Sequence, residues 1–226
     1  MMTRWARPAL SRFWSDDRDL SIFLAMLVAI ILVPTLLPVG PLGKLLADVL
    51  TSVMLISGAA AVADRPPIVL IVSVITGATL LVRWAGFFIA THNLAVWREI
   101  STLVTLGILC YVVLRLVLRR GPITTHRIEG AIAVYLLLGL TWAHAYGLVA
   151  LWHPGAFTGA VDGTGLLLWT YYYSFVTLTT MGYGDIMPVH PVARALAVLE
   201  ALSGQLYLAI MLARLVSLEL QSRRDG

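Results

Sequence analysis

The chain contains six long apolar stretches, separated by short polar connections. Each is long enough to cross the hydrocarbon core of a bilayer as a helix, which takes about 20 residues. Only 12% of all residues are charged, whereas a soluble domain is about a quarter charged. We therefore expect an all-α integral membrane protein with six transmembrane helices, over Leu20–Leu37, Leu45–Ala63, Ile68–Ala90, Ile100–Leu118, Ile128–Leu151 and Val192–Leu220.

A seventh apolar stretch, Leu166–Thr180, lies between the fifth and sixth predicted helices. It is too short to cross a bilayer, so we expect a re-entrant helix that enters the membrane and returns on the same side. Irregular backbone at membrane depth is tolerated only where protein buries it or where it lines a water-filled path. The loop after this helix is thus the natural place for a functional site.

The basic residues cluster between the apolar stretches, and Lys44 is the single lysine among 16 basic residues. This placement follows the positive-inside rule and predicts that both termini are cytoplasmic; it does not indicate nucleic-acid binding. With no cleavable leader evident, short loops and arginine in place of lysine, we expect a bacterial plasma membrane.

We divide the chain into three parts. Residues 1–19 are a basic segment that either lies amphipathically at the membrane surface or is a plain cytoplasmic tail. Residues 20–122 are predicted to form a four-helix domain. Residues 123–226 hold an outer helix, the re-entrant helix, its loop and an inner helix.

The loop that closes the re-entrant helix reads Thr-Leu-Thr-Thr-Met-Gly-Tyr-Gly-Asp over Thr177–Asp185, which we call the glycine loop. Alternating glycines permit backbone angles that other residues resist. Successive carbonyl groups can then face one axis, and a dehydrated cation binds such oxygens.

Residues Thr180–Asp185 resemble the selectivity filter of the potassium channel family, Thr-Val-Gly-Tyr-Gly-Asp, with methionine in place of valine. The resemblance implies a passive, potassium-selective channel without an enzyme activity or a cofactor, in which potassium is the permeant ion. Asp185 would stand at the outer mouth. The ion-binding residues would be Thr180, Met181, Gly182, Tyr183 and Gly184.

One loop supplies oxygens from only one side of an ion, and the chain has a single glycine loop. We therefore expect a symmetric homotetramer in the bilayer. The resemblance further implies that Thr179 and the aromatic residues Tyr172 and Tyr173 support the filter. The Tyr173 hydroxyl either bonds the Tyr183 hydroxyl or serves packing alone.

The last predicted helix contains Gly204, twenty residues after Gly184, where the family places a hinge glycine. Close helix packing is an equal explanation for it. Glu200 is an ionisable group inside a span, for which we expect hydrogen bonds behind the filter, with Arg194 or the re-entrant helix as partner. Residues expected to line the cavity or gate are Gln205, Leu208, Ala209 and Leu212.

The fourth predicted helix lacks the arginines of a voltage sensor, because no basic residue lies between Glu99 and Leu114. Asp48 and Asp64, in or near the second predicted helix, are the only acidic candidates for pairing with arginine. The six residues after the last span offer no soluble ligand domain. His144 and His190 are either pH sensors or structural histidines.

Three other functions remain to be weighed. A weakly selective cation channel would result if Met181 relaxed the filter. A potassium-transporter pore subunit would carry four filter-like loops in one chain, and this chain has one. An intramembrane enzyme would need a paired nucleophile and base, two carboxylates or a metal cluster, and Glu200 alone supplies none of these.

Overall fold

The computed structural model describes residues 17–36, 40–61, 66–88, 91–118, 125–160 and 165–224. The N-terminal segment 1–16, Asp64 with Arg65, and Arg119 with Arg120 lie outside these ranges, and so do the predictions made for them. The described elements are α1 (Asp17–Leu36), α2 (Pro41–Ala61), α3 (Pro66–Phe88), α4 (His92–Val117), α5 (Thr125–Trp152), β1 (Phe157–Thr158), α6 (Leu166–Leu178), β2 (Met187–Pro188) and α7 (Pro191–Arg224).

The predicted all-helical architecture is confirmed for the described residues. Four helical segments are long and apolar enough to cross a membrane, namely Leu42–Ala59, His92–Val117, His126–Trp152 and Pro191–Arg214. Two shorter apolar segments lie in α1 and α3, over Ser21–Val33 and Val72–Gly86.

Local sequence explains where several helices begin. Proline is the first residue of α2, α3 and α7, a position where its missing N–H costs nothing and its fixed φ suits the helix. Thr91 caps α4, and its side chain accepts a hydrogen bond from the Leu94 N–H. This cap starts α4 eight residues before the predicted apolar stretch, so that Arg98 and Glu99 are inside the helix.

Two buried clusters hold the helices together. The larger joins α1, α2, α4 and α5 through apolar side chains such as Leu27, Met54, Leu106 and Leu137. The smaller lies where α5, α6 and α7 meet the connecting loops, around Tyr146, Phe157, Trp169, Tyr173 and Ala193. The two β-strands pair antiparallel, Phe157 opposite Pro188 and Thr158 opposite Met187. They tie the segment after α5 to the segment after the glycine loop.

The four-helix domain contains charged side chains that are buried. Arg83 on α3 is 2% exposed. Its Nη2 lies 2.8 Å from Asp48 Oδ1 on α2, although the two groups are not aligned for a hydrogen bond. Glu99 is a second buried acid, 1% exposed, beyond the two candidates that we had considered.

The Asp48–Arg83 pair gives the first testable prediction. Arg83→Met should destabilise the protein by about 3–5 kcal/mol, because it leaves a buried carboxylate without a counter-charge. Asp48→Leu combined with Arg83→Met should recover most of that loss, since no charge then remains. Thermal unfolding of the purified protein in lipid nanodiscs measures both.

The exposed Arg115 provides the matched control. Arg115→Met should leave the unfolding temperature close to that of the native chain. A double variant no more stable than Arg83→Met alone would contradict the pairing.

Candidate functional site

The glycine loop folds back onto the end of α6. The N–H groups of Thr179 and Thr180 donate to the carbonyls of Phe175 and Thr177 at 3.1 and 2.9 Å. The Met181 and Gly182 N–H groups both donate to the Val176 carbonyl, at 2.9 and 3.5 Å. The N–H side of the loop is thus used to satisfy the last carbonyls of α6, which have no partner within the helix.

The backbone of the loop alternates in handedness. Positive φ angles occur at Thr180 (56°), Gly182 (58°) and Gly184 (80°), and not at Met181 or Tyr183 between them. Alternation of this kind turns successive peptide groups to the same side. Thr180 is the only described residue other than glycine with a positive φ, and such a conformation is uncommon for threonine.

Four successive carbonyls of the glycine loop, those of residues 180–183, have no hydrogen-bond partner in the protein. Within the described ranges, no hydrogen bond reaches the carbonyl oxygens of residues 180–183, and residues 179–185 are all exposed in the single chain. The loop therefore presents a row of free oxygens on the side opposite α6. These are ligands suited to a hard cation.

Sequence comparisons find similar proteins over the region that contains the glycine loop. A family model described as ion channel matches residues 134–220. The chain is 35% identical over 81 residues to the inward rectifier potassium channel Kirbac3.1 of Paramagnetospirillum magnetotacticum, a match covering 34% of this chain and 24% of that protein. It is 35% identical over 83 residues to two pore potassium channel c of Oryza sativa subsp. japonica, which covers 37% of this chain and 17% of the relative.

Over this region the chain is similar to ion channels, and both of these relatives are potassium channels. The family match includes most of α5, all of α6, the glycine loop and most of α7. The chain spans less than a quarter of the length of either relative. No solved structure matches the chain.

The Tyr172 ring, rather than that of Tyr173, stacks on the glycine loop. The Tyr172 ring stacks on Tyr183 with centroids 6.5 Å apart, and its hydroxyl lies near the Asp185 carboxylate. The Tyr173 ring packs instead on Tyr146 at 4.8 Å and Phe157 at 5.3 Å. The predicted bond between the Tyr173 and Tyr183 hydroxyls is absent within this chain.

The inner helix α7 approaches the end of α6 at Gly204. A Cβ placed on Gly204 would lie 2.5 Å from the Leu178 carbonyl oxygen, so only glycine permits this contact. Close packing therefore accounts for Gly204, and its role as a hinge stays a prediction. The neighbouring Gln205 donates from Nε2 to the Thr180 hydroxyl at 3.3 Å.

The predicted cavity residues Leu208, Ala209 and Leu212 lie on an exposed part of α7, while Met211 between them is buried. Thr179, predicted to support the filter, bonds the Phe175 carbonyl of α6 through its hydroxyl at 2.6 Å. Arg194 donates to the Pro188 carbonyl at 3.1 Å and so does not pair with Glu200.

Glu200 is fully buried between three helices. Its two carboxyl oxygens each lie 2.5 Å from a hydroxyl, one from Ser174 on α6 and the other from Tyr146 on α5. Ser174 Oγ also contacts the Gly139 carbonyl at 2.7 Å. Two hydroxyl protons cannot serve three contacts, so a proton on Glu200 completes this network.

Glu99 on α4, for which the sequence predicts no role, contacts α5. Its Oε2 lies 2.5 Å from Nδ1 of His144 on α5, and the other ring nitrogen, Nε2, lies 3.3 Å from the Tyr171 hydroxyl on α6. His144 is thus a fully paired histidine. His190, just before α7, stacks on His153, just after α5, with centroids 4.1 Å apart.

The contact at Gly204 is open to direct test. Gly204→Ala should lower stability by about 1–3 kcal/mol, because its methyl group would press on a backbone oxygen that cannot move independently. We expect a lower unfolding temperature in nanodiscs. Gly107→Ala is the matched control, since a Cβ at Gly107 on α4 meets nothing within 4 Å. Equal unfolding temperatures for the two variants would argue against the contact.

Proposed function

We propose that four copies of this chain form a potassium-selective channel that conducts passively through a pore on their common axis. The observation that carries the proposal is the backbone of the glycine loop, with positive φ at Thr180, Gly182 and Gly184. This conformation leaves the oxygens of Thr180, Met181, Gly182 and Tyr183 free on one side. Rings of such oxygens replace the hydration shell of potassium.

The exposed polar backbone supports assembly into a tetramer. Irregular backbone cannot face lipid, yet residues 179–185 are exposed in the single chain. Neighbouring copies would cover the loop and complete the ring of oxygens around each ion. A closed ring of identical subunits is the usual solution for such heterologous contacts.

The inner helix supports the same assembly. In α7 the candidate span Pro191–Arg214 is only 17% buried, whereas that of α5 is 61% buried. Large apolar side chains are exposed on several sides of α7, among them Val198, Leu199, Leu202, Leu206 and Ile210. One part of this surface would pack against the neighbouring subunit and another would line the cavity below the glycine loop.

We further propose six membrane spans, α1 to α5 and α7, with α6 re-entrant. The 13 residues of α6 reach about 20 Å, less than the ~30 Å hydrocarbon core. The negative end of the α6 dipole would then point towards the cavity and favour a cation there. The distribution of arginines favours cytoplasmic termini and a plasma membrane location.

Ordinary voltage gating is not part of the proposal. In α4 the basic residues are Arg98 near the start and Arg115 near the end, and Arg98 is paired with Glu99. A steep response needs about 3 to 4 charges that move through the field in each subunit. Neither an enzyme activity nor a cofactor is needed to explain the site.

A weakly selective cation channel is the second candidate, and one observation favours it. Met181 borders an apolar cavity of about 300 Å³, together with Phe175, Val176, Thr179 and Tyr183. Free space behind the loop, next to a flexible methionine side chain, would let the oxygen ring widen unless a neighbouring subunit fills it.

Ion replacement distinguishes the two candidates. In bilayers with opposed potassium and sodium gradients, a potassium-selective pore gives a reversal potential near the potassium equilibrium value. Thr180→Ala should reduce potassium current at least about tenfold, because it removes the hydroxyl at the inner end of the oxygen row. A reversal potential near zero for the native chain would reject potassium selectivity.

Thr141→Ala is the matched control for Thr180→Ala. The Thr141 hydroxyl bonds the Leu137 carbonyl of its own helix at 2.7 Å, far from the glycine loop in sequence. Its removal should leave both current and reversal potential unchanged. If Thr180→Ala also changes neither, the glycine loop is not the filter.

Assembly is tested by native mass spectrometry of the protein released from nanodiscs. We expect a mass of four chains of 24.6 kDa each. Leu206→Trp on α7 should reduce the tetramer fraction, whereas Leu70→Trp on α3, which is 69% exposed, should not. A native chain that remains monomeric or dimeric would contradict the proposed tetramer.

A further inference from the structure

Four buried or half-buried charges of the four-helix domain converge on α6. Asp48 on α2 pairs with Arg83 on α3, and Arg98 pairs with Glu99 on α4 at 3.3 Å. All four lie in the neighbourhood of Tyr171, a buried residue of α6. The cluster contains two positive and two negative groups, so its charges balance without a further ion.

A hydrogen-bonded chain connects this cluster to α6 through α5. Glu99 Oε2 lies 2.5 Å from His144 Nδ1, and His144 Nε2 lies 3.3 Å from the Tyr171 hydroxyl. The three side chains are each 2% exposed or less. The chain therefore crosses three helices, α4, α5 and α6, without contact with solvent.

The proton positions in this chain follow from the partners. The Glu99 carboxylate accepts from His144 Nδ1–H, and His144 Nε2 then accepts from the Tyr171 O–H. Every donor meets an acceptor with the imidazole neutral. The Arg98 guanidinium balances the charge of the carboxylate, so the arrangement needs no additional proton.

The backbone of α5 provides space for the Glu99 carboxylate at Gly147. A Cβ on Gly147 would lie 3.1 Å from Glu99 Oε2, closer than nearly all side-chain contacts allow. Glycine thus lets the acid of α4 reach across the face of α5 to His144. Apolar side chains in place of Glu99 and His144 could be buried at a lower free-energy cost, because buried polar groups are stable only when they are fully paired.

Tyr171 is adjacent to the residue that contacts the glycine loop. Tyr171 faces the four-helix domain, while the Tyr172 ring stacks on Tyr183. A shift of α6 at Tyr171 must therefore move Tyr172 as well. The row of hydrogen-bonded side chains from Glu99 through His144 therefore ends at Tyr171, the direct neighbour of the residue that contacts the glycine loop.

We propose that Glu99, His144 and Tyr171 are positioning residues through which α4 fixes the position of α6 and, through Tyr172, the conducting conformation of the glycine loop. The inference rests on the proposed channel function. The four-helix domain then has a structural role that requires no movement of charge, because its buried acid Glu99 holds α6, the helix that precedes the glycine loop.

Single-channel recording tests the proposal with small changes. Tyr171→Phe removes one hydroxyl and keeps the ring, and Glu99→Gln replaces the charged acceptor by a neutral one. Each should shift the open–closed equilibrium towards the closed state by about fivefold or more, the range of ordinary coupling between sites. The double variant should shift it no further than the larger single effect, because both changes break one chain.

The controls separate positioning from general stability. Tyr111→Phe on α4, where the tyrosine is 59% exposed, should leave the equilibrium unchanged. Reversal potential and single-channel current should be native in all variants, since no filter oxygen is altered. Native open probability in Tyr171→Phe and Glu99→Gln, or fully additive effects in the double variant, would overturn the proposal.

Hydrogen–deuterium exchange in nanodiscs tests the positioning role of the three residues without a measurement of current. Amides of α6 should exchange at least about fivefold faster in Tyr171→Phe, while those of the neighbouring α5 keep their native rates. Unchanged exchange in α6 would overturn the positioning role. If the native chain carries no potassium current, the proposed channel function fails, and this exchange measurement alone judges the role of the three residues.

Discussion

The need to satisfy backbone polar groups at the end of α6 determines the structure around it. The last four carbonyls of a helix lack partners within the helix, and here each one is paired. Those of residues 175–177 accept from the N–H groups of the glycine loop, and the Leu178 carbonyl accepts from the Tyr135 hydroxyl at 3.4 Å. Because the N–H groups of residues 179–182 donate to carbonyls of α6, the carbonyls of residues 180–183 face away from that helix.

The neighbouring helices are shaped to hold this arrangement in place. Gly204 brings α7 against the Leu178 carbonyl, and Gln205 reaches the Thr180 hydroxyl. Glu200 joins α7 to α5 and α6 through two short hydrogen bonds. A buried carboxyl that is fully paired fixes the relative position of three helices more specifically than apolar contacts would. The side chains thus set the shape of the loop, whereas the backbone supplies the ligands.

The sequence predicted the helical architecture and the position of the glycine loop because both depend on local patterns. Apolar stretches determine the helices, and alternating glycines determine the loop. Contacts between distant residues could not be read in this way. No local sequence pattern distinguishes the contacts of Tyr172 from those of Tyr173. Glu99 directly precedes the predicted apolar stretch of α4, so no sequence pattern indicated that its side chain is buried. Its partner His144 lies 45 residues away. The one sequence signal for this pair is that α4 and α5, which follow each other in the chain, each contain an ionisable residue, Glu99 and His144.

The pairing of charges bears on what the four-helix domain can do. Moving a charge through the membrane field requires that it leave one partner and find another. Arg83 is held by Asp48 and Arg98 by Glu99, and Glu99 is also bound to His144 of α5. Displacing either arginine would leave a buried carboxylate without its positive partner, at a cost of several kcal/mol. Charges in such a neutral, interlocked cluster stabilise one geometry, and because the cluster adjoins Tyr171, that geometry includes the helix that carries the glycine loop.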